Sequence, residues 1–345
     1  MFGGGERYLI DLASLIIKLG YHVDVFQPSN IGEWRNCYRG INIYGIEKGD
    51  FDRDFYIGVN KKFKEITQNY DYHIYFNLDV LYPYVFPNSI CISHGIWWDS
   101  TEKSWWRSKR WFEYLSKGLA NVTHLISVDT NTINWVNAVM PEVECIKSYI
   151  PNYVDLNVFN VKHTAHDEIN ILYPRRLCNA RGWNITMELA FELTEQYDNF
   201  RFSFVGRGLN DNIEEFMNTV TSKNDRIKYA WHEPDEMNST YESADIVLIP
   251  SLCSEGTSLS LLEAMACGKP VIAGLTGGLT DLVIHGFNGY LIDVNKENLK
   301  NAILTLADNA DLRYKLGKNA RSVAECFSKE IWEKHWEEVI LNQFK

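Results

Sequence analysis

Hydrophobic and polar positions alternate regularly along the chain. Short apolar runs rich in β-branched residues are separated by longer stretches whose apolar residues recur at helical spacing. This pattern is typical of α/β proteins, in which parallel sheets are covered by helices on both faces. In the first half of the chain the runs predict strands near 22–27, 41–45, 72–76, 89–93, 124–127 and 145–149. In the second half they predict strands at 169–173, 202–205, 227–230, 246–250, 271–273 and 290–292.

The predicted strands form two groups, and 345 residues suit two domains of about 100 to 200 residues each. We expect two facing Rossmann-like, doubly wound domains with a boundary near Ile150-Pro151-Asn152, where a strand gives way to a turn. The N-terminal domain would cover 1–151, the C-terminal domain 152–325, and a final helix at 326–345 would pack back on the N-terminal domain. Since ligands of such sheets bind at the carboxyl ends of the strands, the site is expected in the crevice between the domains.

The start of the first domain departs from this scheme. The first helix is predicted to begin at Gly5-Glu6, with only Met1 to Gly4 before it. A doubly wound domain normally opens with a strand that leads into this helix. We therefore expect an N-terminal domain that lacks its first strand, or a true start upstream.

Composition and charge narrow the possible functions. The chain has 46% apolar and 23% charged residues, which is typical of a folded globular protein. Its net charge of -11 opposes binding to a phosphate backbone, so nucleic acid is set aside as a partner. The seven cysteines are scattered without a C-x-x-C pair, which indicates reduced thiols and not a zinc or redox site. Because the sequence has no long apolar run and no signal-peptide pattern, we expect a cytoplasmic protein.

The segment 254–270 carries the clearest candidate chemistry. It follows a predicted strand as a loop and a helix, and Gly268 and Pro270 end that helix. The helix begins near 257–259, where free backbone N–H groups and the positive end of the dipole suit a diphosphate. Glu255 and Glu263 supply carboxylates that can accept hydrogen bonds from sugar hydroxyls. Taken without this context, the two glutamates would be interpreted as a loop residue and a helix-surface charge.

These residues resemble the E-x7-E motif of the retaining glycosyltransferases of family 4, and Gly256, Leu262, 264–266 and 268–270 match it too. The resemblance implies the GT-B fold, which has two facing Rossmann-like domains. It also implies a metal-independent transfer of a sugar from a nucleotide-diphosphate sugar, with retention of configuration. Glu255 is then expected to be catalytic. The expected donor-binding residues of this segment are Gly256, Thr257, Ser258, Leu259 and Glu263.

Further matches occur in the family's order between about residues 150 and 293. Asn152-x-Val154-Asp155 and Phe159 resemble the entry to the donor domain, with Tyr153 in place of a glycine. Arg176-Leu177-x3-Arg181-Gly182 resembles the Gly-Arg-Leu-x3-Lys-Gly loop, whose cations meet the donor diphosphate. Here Arg175 replaces the glycine and Arg181 the lysine, and a guanidinium can still bind phosphate. The remaining matches are the turn at Gly206, the nucleobase loop with Trp231 and His232, and 277–281 with Gly286 and Gly289.

The N-terminal half resembles the family at two places. Gly3-Gly4-Gly5-Glu6 resembles the Gly-Gly-x-Glu turn that approaches the donor phosphates, so Gly3 and Gly4 are predicted to bind the donor. The alternative is a flexible glycine run at a terminus. His94, at the end of a predicted strand, matches the histidine that contacts the transferred sugar and is predicted to be catalytic. The alternative for a single histidine is a structural role.

The acceptor side is predicted from tryptophans. Trp97 and Trp98 precede the segment 103–117, which is rich in tryptophan, lysine and arginine. Aromatic rings stack on sugars, and a basic amphipathic helix can lie on an anionic bilayer. The hypothesis is peripheral contact with the inner face of the membrane and a lipid-linked or envelope glycan acceptor, as in polysaccharide biosynthesis. Alternatively, the rings belong to the core and the cations form a solvated face.

The most consistent interpretation is a glycosyltransferase that needs no cofactor and uses a UDP- or GDP-sugar as substrate. No Asp-x-Asp metal motif is present, so Arg176, Arg181 and the helix end near Thr257 would stabilise the departing diphosphate. Two alternatives stay open: a nucleotide-sugar-binding protein without turnover, and a sugar-nucleotide 2-epimerase. A Rossmann dehydrogenase is disfavoured because no strand precedes the glycines and no acidic residue is placed to bind a ribose.

Overall fold

The computed structural model describes residues 4–47, 55–99, 109–160, 168–208 and 211–344. The chain divides into two compact units. Unit 1 comprises Met1–Pro151 and Glu330–Lys345, and unit 2 comprises Asn152–Lys329. Each unit contains parallel strands alternating with helices, which is the α/β pattern predicted from the sequence.

Unit 1 contains four α-helices, one short 3-10 helix (Leu78–Val80) and seven strands before residue 151 in the part of the chain that is described. The helices are α1 (Gly4–Lys18), α2 (Phe55–Thr67), α3 (Lys109–Leu119) and α4 (Thr130–Val139). The strands are β1 (Asp24–Ser29), β2 (Trp34–Tyr38), β3 (Ile41–Glu47), β4 (Ile74–Tyr75), β5 (Ile90–Ser93), β6 (His124–Ser127) and β7 (Ile146–Tyr149).

The strands of unit 1 form two sheets. One is parallel in the order β4-β5-β6-β7, and the other has the order β1-β3-β2. β2, a strand that the sequence pattern did not predict, pairs antiparallel with β3. The reason is a two-residue hairpin turn at Arg39 and Gly40, whose positive φ angles of 51° and 80° match the twist of paired strands. Because the side chains of β2 are half-buried or exposed, the apolar pattern did not indicate this strand.

A cavity of about 880 Å³ lies within unit 1. Residues of α1, α2, β1 and β4 line it, and β1 and β4 are edge strands of their sheets among the described strands. His94, just after β5, also lines this cavity.

Unit 2 has one six-stranded sheet in the order β10-β9-β8-β11-β12-β13. Its strands are β8 (Ile169–Tyr173), β9 (Phe200–Val205), β10 (Ile227–Ala230), β11 (Ile246–Ile249), β12 (Val271–Gly274) and β13 (Tyr290–Ile292). Its helices are α5 (Trp183–Gln196), α6 (Asp211–Lys223), α7 (Met237–Glu242), α8 (Leu259–Ala266), α9 (Lys296–Ala307) and α10 (Ala310–Ala324). The last helix of the chain, α11 (Lys329–Gln343), lies in unit 1 from Glu330 onward.

The sheet of unit 2 is parallel throughout, and its central strands β11 and β12 are buried on both faces. One apolar cluster includes Phe202 and Leu248, and a second includes Val247 and Leu262. Strands covered on both faces need apolar side chains throughout, which explains why the runs of β11 and β12 predicted strands. The strand order reverses between β8 and β11, and ligands of open parallel sheets bind at the carboxyl ends next to such a switch point.

Aromatic side chains hold α11 against α1 inside unit 1. Trp336 is fully buried, and its indole Nε1 donates a hydrogen bond of 2.8 Å to the hydroxyl of Tyr8. Trp332 meets the same tyrosine edge-on, with ring centroids 5.1 Å apart.

Among the described residues, no helix is long and apolar enough to cross a membrane.

Candidate active site

A buried ion pair joins the loops that follow β8 and β11. Arg175 comes two residues after β8, and Glu255 lies in the loop between β11 and α8. The guanidinium binds the carboxylate through two hydrogen bonds, Nη1 to Oε1 at 3.0 Å and Nη2 to Oε2 at 2.6 Å. Both side chains are less than one-tenth exposed. This fork-like geometry is the strongest form of an arginine–carboxylate contact and fixes both loops at the switch point.

Two more groups complete the surroundings of Glu255. The hydroxyl of Ser251 donates to Oε1 at 2.5 Å, and Nη1 of Arg181 lies 3.1 Å from Oε2. Burial alone would raise the pKa of Glu255, but the charges of Arg175 and Arg181 and the hydrogen bonds lower it to about 2. Glu255 is therefore ionised at neutral pH. Two guanidinium groups against one carboxylate leave one net positive charge in this cluster.

The cluster lies at the amino-terminal end of α8. Ser258 is the residue before the helix, and its hydroxyl accepts a 3.1 Å hydrogen bond from Nη1 of Arg175. The hydroxyl of Thr257 accepts from the backbone N–H of Asn152 at 2.8 Å, and the Asn152 amide donates to the Thr257 carbonyl. α8 begins and ends where the sequence predicted, and its first turn places unpaired N–H groups and the positive dipole end beside the arginines.

The backbone of Gly277 packs closely against the backbone of Glu255. Gly277 has a φ of 51°, and a Cβ there would lie 2.4 Å from the carbonyl oxygen of Glu255. The next residue, Gly278, donates its N–H to that same carbonyl at 2.7 Å. A side chain at Gly277 would therefore displace Glu255, which explains the glycine pair in this loop.

The arginines predicted to meet the diphosphate have different environments. Arg176 is exposed, and no side-chain partner is present for it among the described residues. Arg181 is 29% exposed, and its Nη1 is buried without a well-directed hydrogen bond although Glu255 is close. Arg175, which the sequence marked only as a departure from the pattern, is the residue that binds Glu255. No local signal in the sequence indicated this role, because its partner is 80 positions away.

Glu263 belongs to a separate set of contacts. It lies in the interior of α8, is 6% exposed, and accepts a 3.0 Å hydrogen bond from the hydroxyl of Tyr241. Burial, and next the charge of Glu263, raise the pKa of Tyr241 well above its usual range. The two carboxylates of the motif are thus held by different partners, and the roles predicted for them in donor binding stay predictions.

The predicted nucleobase loop follows β10. Trp231 is 40% exposed, and the guanidinium of Arg207 lies 4.2 Å from the centre of its ring. Nδ1 of His232 lies 2.6 Å from the hydroxyl of Thr240. A cavity of about 260 Å³ adjoins the loop and is lined by residues that include Ser203, Val205, Lys228, Ala230, His232 and Thr240. A Cβ at Gly206 would lie 2.2 Å from the carbonyl oxygen of Arg175, so this turn packs directly against the ion-pair loop.

His94 lies in unit 1, directly after β5. Burial lowers its pKa to about 4, so the ring is neutral at pH 7. Its ring packs against Phe76 and meets Tyr8 edge-on, with centroid distances of 4.4 and 5.3 Å. Nε2 is buried and has no hydrogen-bond partner among the described residues. A neutral imidazole with one free nitrogen at a strand end can bind a hydroxyl, as the sequence hypothesis requires.

The predicted acceptor tryptophans belong to an aromatic cluster of unit 1. Trp98 is 7% exposed and lies 4.9 Å, between ring centroids, from both Trp111 and Trp135. Trp97 is half-buried and meets Trp98 edge-on at 5.9 Å. Trp98 is therefore a core residue, and Trp97 is the more accessible of the two. Of the other predicted positions, Gly4 begins α1, whereas Gly3 and the basic segment 103–108 lie outside the described residues.

Among the described residues, no group of three or more histidine, cysteine, aspartate or glutamate side chains could hold a metal ion. The charges at the switch point of unit 2 are those of the arginines and Glu255.

Residues 157–323 match the model of the family described as "Glycosyl transferases group 1". An uncharacterized glycosyltransferase of Methanocaldococcus jannaschii is 33% identical over 209 residues, which cover 56% of either chain. A lipopolysaccharide 1,2-N-acetylglucosaminetransferase of Salmonella typhimurium is 28% identical over 221 residues, 60% of this chain and 57% of the relative. The chain thus spans only a little more than half the length of these two curated relatives.

The fold is similar to that of the Anabaena HepE crystal structure in complex with UDP-glucose. The TM-score is 0.75 at 17% identity, and the match covers 99% of this chain and 97% of HepE. This likeness confirms the predicted GT-B fold. The segment 157–323 that matches this family model contains the ion-pair cluster.

Proposed function

We propose that the protein is a glycosyltransferase that moves a sugar from a nucleotide-diphosphate sugar to a hydroxyl acceptor. The observation that supports this most is the cluster of Arg175, Arg181 and Glu255 beside the first turn of α8. It lies at the switch point of the parallel sheet, inside the segment that matches the family. Fixed positive groups in that place suit a diphosphate better than any other common ligand.

The chemistry of transfer needs charge stabilisation on the leaving diphosphate while the sugar carbon becomes oxocarbenium-like. Arg181, the exposed Arg176 and the N–H groups of α8 are the donors proposed for this task. Arg181 lies beside Glu255 and the N–H groups belong to a helix, so both are in place before the substrate arrives and stabilise the transition state at little reorganisation cost. In this mechanism no divalent ion is required, configuration is retained, and a donor phosphate oxygen accepts the acceptor proton.

His94 is proposed to bind the transferred sugar. Its pKa of about 4 keeps it neutral, so Nε2 can accept or donate one hydrogen bond without adding charge near the sugar. The nucleobase is proposed to lie beside Trp231 and His232, next to the cavity of unit 2. Gly206, Gly256 and Leu259 would border the diphosphate, and Glu263, in the interior of α8, is proposed to contribute to donor binding.

A UDP-sugar is the proposed donor, since HepE was solved with UDP-glucose. A glycan or lipid-linked acceptor is proposed because the Salmonella relative is named for lipopolysaccharide synthesis. For such an acceptor we propose a cytoplasmic enzyme in peripheral contact with an anionic membrane. The exposed side chains of Lys109 and Arg110 at the start of α3 support this proposal.

Calorimetric titration with UDP-, GDP- and ADP-sugars tests the donor, followed by chromatography of the released nucleoside diphosphate with and without a glycan acceptor. We expect one base to bind and its diphosphate to be released faster with acceptor, unaffected by EDTA. Binding without any release would favour a protein without turnover, and conversion of the donor to its 2-epimer would favour an epimerase.

Flotation with phosphatidylglycerol vesicles at low salt tests the membrane contact, with phosphatidylcholine vesicles as the control.

A further inference from the structure

The cavity of unit 1 is bounded by the edges of two strands. Among the described strands, β1 pairs with β3 and β4 pairs with β5, and nothing pairs with the other edge of β1 or β4. Residues 22–28, which include most of β1, and residues 72–77, which include β4, line the cavity. Buried backbone N–H and C=O groups need hydrogen-bond partners. The two edges therefore offer donors and acceptors to one further strand, on both of its sides.

Two helices complete the walls of the cavity. Each contributes residues three or four positions apart, which lie on one face of a helix. These residues are Leu9, Leu12 and Ile16 on α1, and Tyr56, Val59 and Phe63 on α2. The helices of a doubly wound domain pack on the strands of its sheet. The shared wall is thus the kind of surface that covers a strand.

The polar groups of the lining are already engaged by the protein. The amide of Asn60 donates to the carbonyls of Val80 and Tyr84 at 2.7 Å each, and its Oδ1 accepts from the N–H of Tyr84 at 3.0 Å. The carboxylate of Asp24 accepts from the hydroxyl of Tyr70. An occupant with apolar side chains suits the helix faces, and its own backbone can pair with the strand edges. A polypeptide strand has both properties.

The volume of the cavity agrees with one strand. β1 has six residues, and six residues of strand are about 20 Å long. Since a strand takes up about 4.8 Å across a sheet and about 10 Å through it, a strand of that length needs about 950 Å³. The cavity measures about 880 Å³.

The direction of this strand follows from the ends of the cavity. Tyr21, Tyr72 and Phe344 line it where β1 and β4 begin, and Glu6 and Asn77 line it where α1 begins and β4 has ended. Parallel strands are connected through a crossover helix, which starts at the carboxyl end of the first strand. A strand parallel to β1 would therefore end beside the first turn of α1, and α1 would lead on to β1.

We propose that the cavity of unit 1 binds an apolar β-strand of about six residues that runs parallel to β1 and β4. The strand is a segment of the same polypeptide, joined to the amino end of α1. It unites the two sheets of unit 1 into one, in the order β2-β3-β1, added strand, β4-β5-β6-β7. The observation that carries the proposal is the cavity of strand size between two strand edges and two helix faces.

Hydrogen exchange measured by mass spectrometry tests this strand in three proteins. They are the 345-residue chain, the chain extended at its amino end by six valine and isoleucine residues, and the chain extended by six glycine and serine residues. Peptides from β1 and β4 should exchange at least about tenfold more slowly with the apolar extension than with the glycine and serine extension. Peptides from β8 and β11 of unit 2 should not change. Equal exchange of the β1 and β4 peptides in the two extended proteins would overturn the proposal.

The variant Ala13→Phe tests whether the extension lies in the cavity. Ala13 is 2% exposed and lines the cavity from α1. The 345-residue chain has room for the added ring there, whereas in the extended chain the ring would overlap with the strand. The slowing of exchange by the apolar extension should therefore fall below about threefold in Ala13→Phe. An undiminished effect would place the extension elsewhere and contradict the proposal.

Fluorescence of anilinonaphthalene sulfonate gives a second measurement. This dye binds accessible apolar surface, so it should fluoresce with the 345-residue chain and at least about threefold less with the apolar extension. The glycine and serine extension should leave the fluorescence unchanged, and an equal decrease with both extensions would count against a strand. If a free valine- and isoleucine-rich peptide slowed exchange where the extension did not, the covalent source would be overturned. Neither measurement involves a nucleotide-sugar, so its failure leaves the proposed transfer activity unaffected.

Discussion

Replacement of Glu255 by glutamine removes one charge from a buried cluster, and the structure allows the cost to be worked out. A pKa lowered from 4.5 to about 2 corresponds to about 3 kcal/mol of stability at pH 7. The independent expectation for breaking one side of a buried ion pair is about 3 to 5 kcal/mol, because Arg175 is left without its counterion. The pKa shift and the loss of the ion pair therefore both predict that Glu255→Gln lowers the free energy of unfolding by about 3 kcal/mol.

The pH dependence has a definite sign. Because the pKa of Glu255 is lower in the folded protein, its stabilisation is complete above about pH 4.5 and is lost as the pH falls towards 2. In Glu255→Gln this loss is absent, so the stability of unit 2 should fall less steeply with acid in that window. At pH 7 the free energy of unfolding of unit 2 should be lower in Glu255→Gln than in the natural chain.

Hydrogen exchange measured by mass spectrometry follows unit 2 separately from unit 1. Peptides from β8, β11 and α8 should exchange about 100-fold faster at pH 7 in Glu255→Gln, which is the rate equivalent of about 3 kcal/mol. Glu192→Gln is the control. The pKa of Glu192 is also lowered to about 2, by hydrogen bonds from Lys296 and Lys300. These three side chains are 24%, 49% and 27% exposed, so water and salt screen their pairing more than that of the buried Glu255. If the peptides from β8, β11 and α8 exchanged equally fast in Glu255→Gln and Glu192→Gln, the stabilising role of the buried Arg175–Glu255 pair would be refuted.

Three further predictions use other parts of the structure. Arg181→Gln should reduce kcat/KM for transfer at least about tenfold, measured by nucleoside diphosphate release, whereas unchanged kinetics would remove Arg181 from the site. Gly277→Ala should destabilise unit 2 by about 1 to 3 kcal/mol in thermal unfolding, since its Cβ would lie 2.4 Å from a backbone oxygen; Gly286→Ala, with open space around it, should cost less. The pKa of His94 is lowered to about 4, so unit 1 should lose stability as the pH falls from 6.5 towards 4. His94→Gln should make this pH dependence less steep when stability is measured by hydrogen exchange. The same pH dependence in the natural chain and in the variant would contradict a neutral His94.

Some features followed from the sequence because they depend on local pattern. The central strands β11 and β12 of unit 2 are buried on both faces, so each appears as an apolar run, and β11 from Ile246 to Ile249 was predicted within one residue. The end of α8 was predicted because Gly268 adopts a φ of 68°, which few other residues accept. The family match over 157–323 agrees with the motifs recognised there.

Only the tertiary structure decided how the charged residues are paired. Arg175 and Glu255 are 80 positions apart, and their contact exists because β8 and β11 are neighbours in the sheet. The strand β2 was missed for a related reason, since its side chains are largely open to solvent and its pairing with β3 is set by the hairpin turn at Arg39 and Gly40. The sequence by itself determined the α/β framework and the segment 254–270, because apolar periodicity and helix-ending residues act locally. The folded chain decided that Glu255 is bound by Arg175, because burial of one charge depends on which opposite charge the fold brings to it.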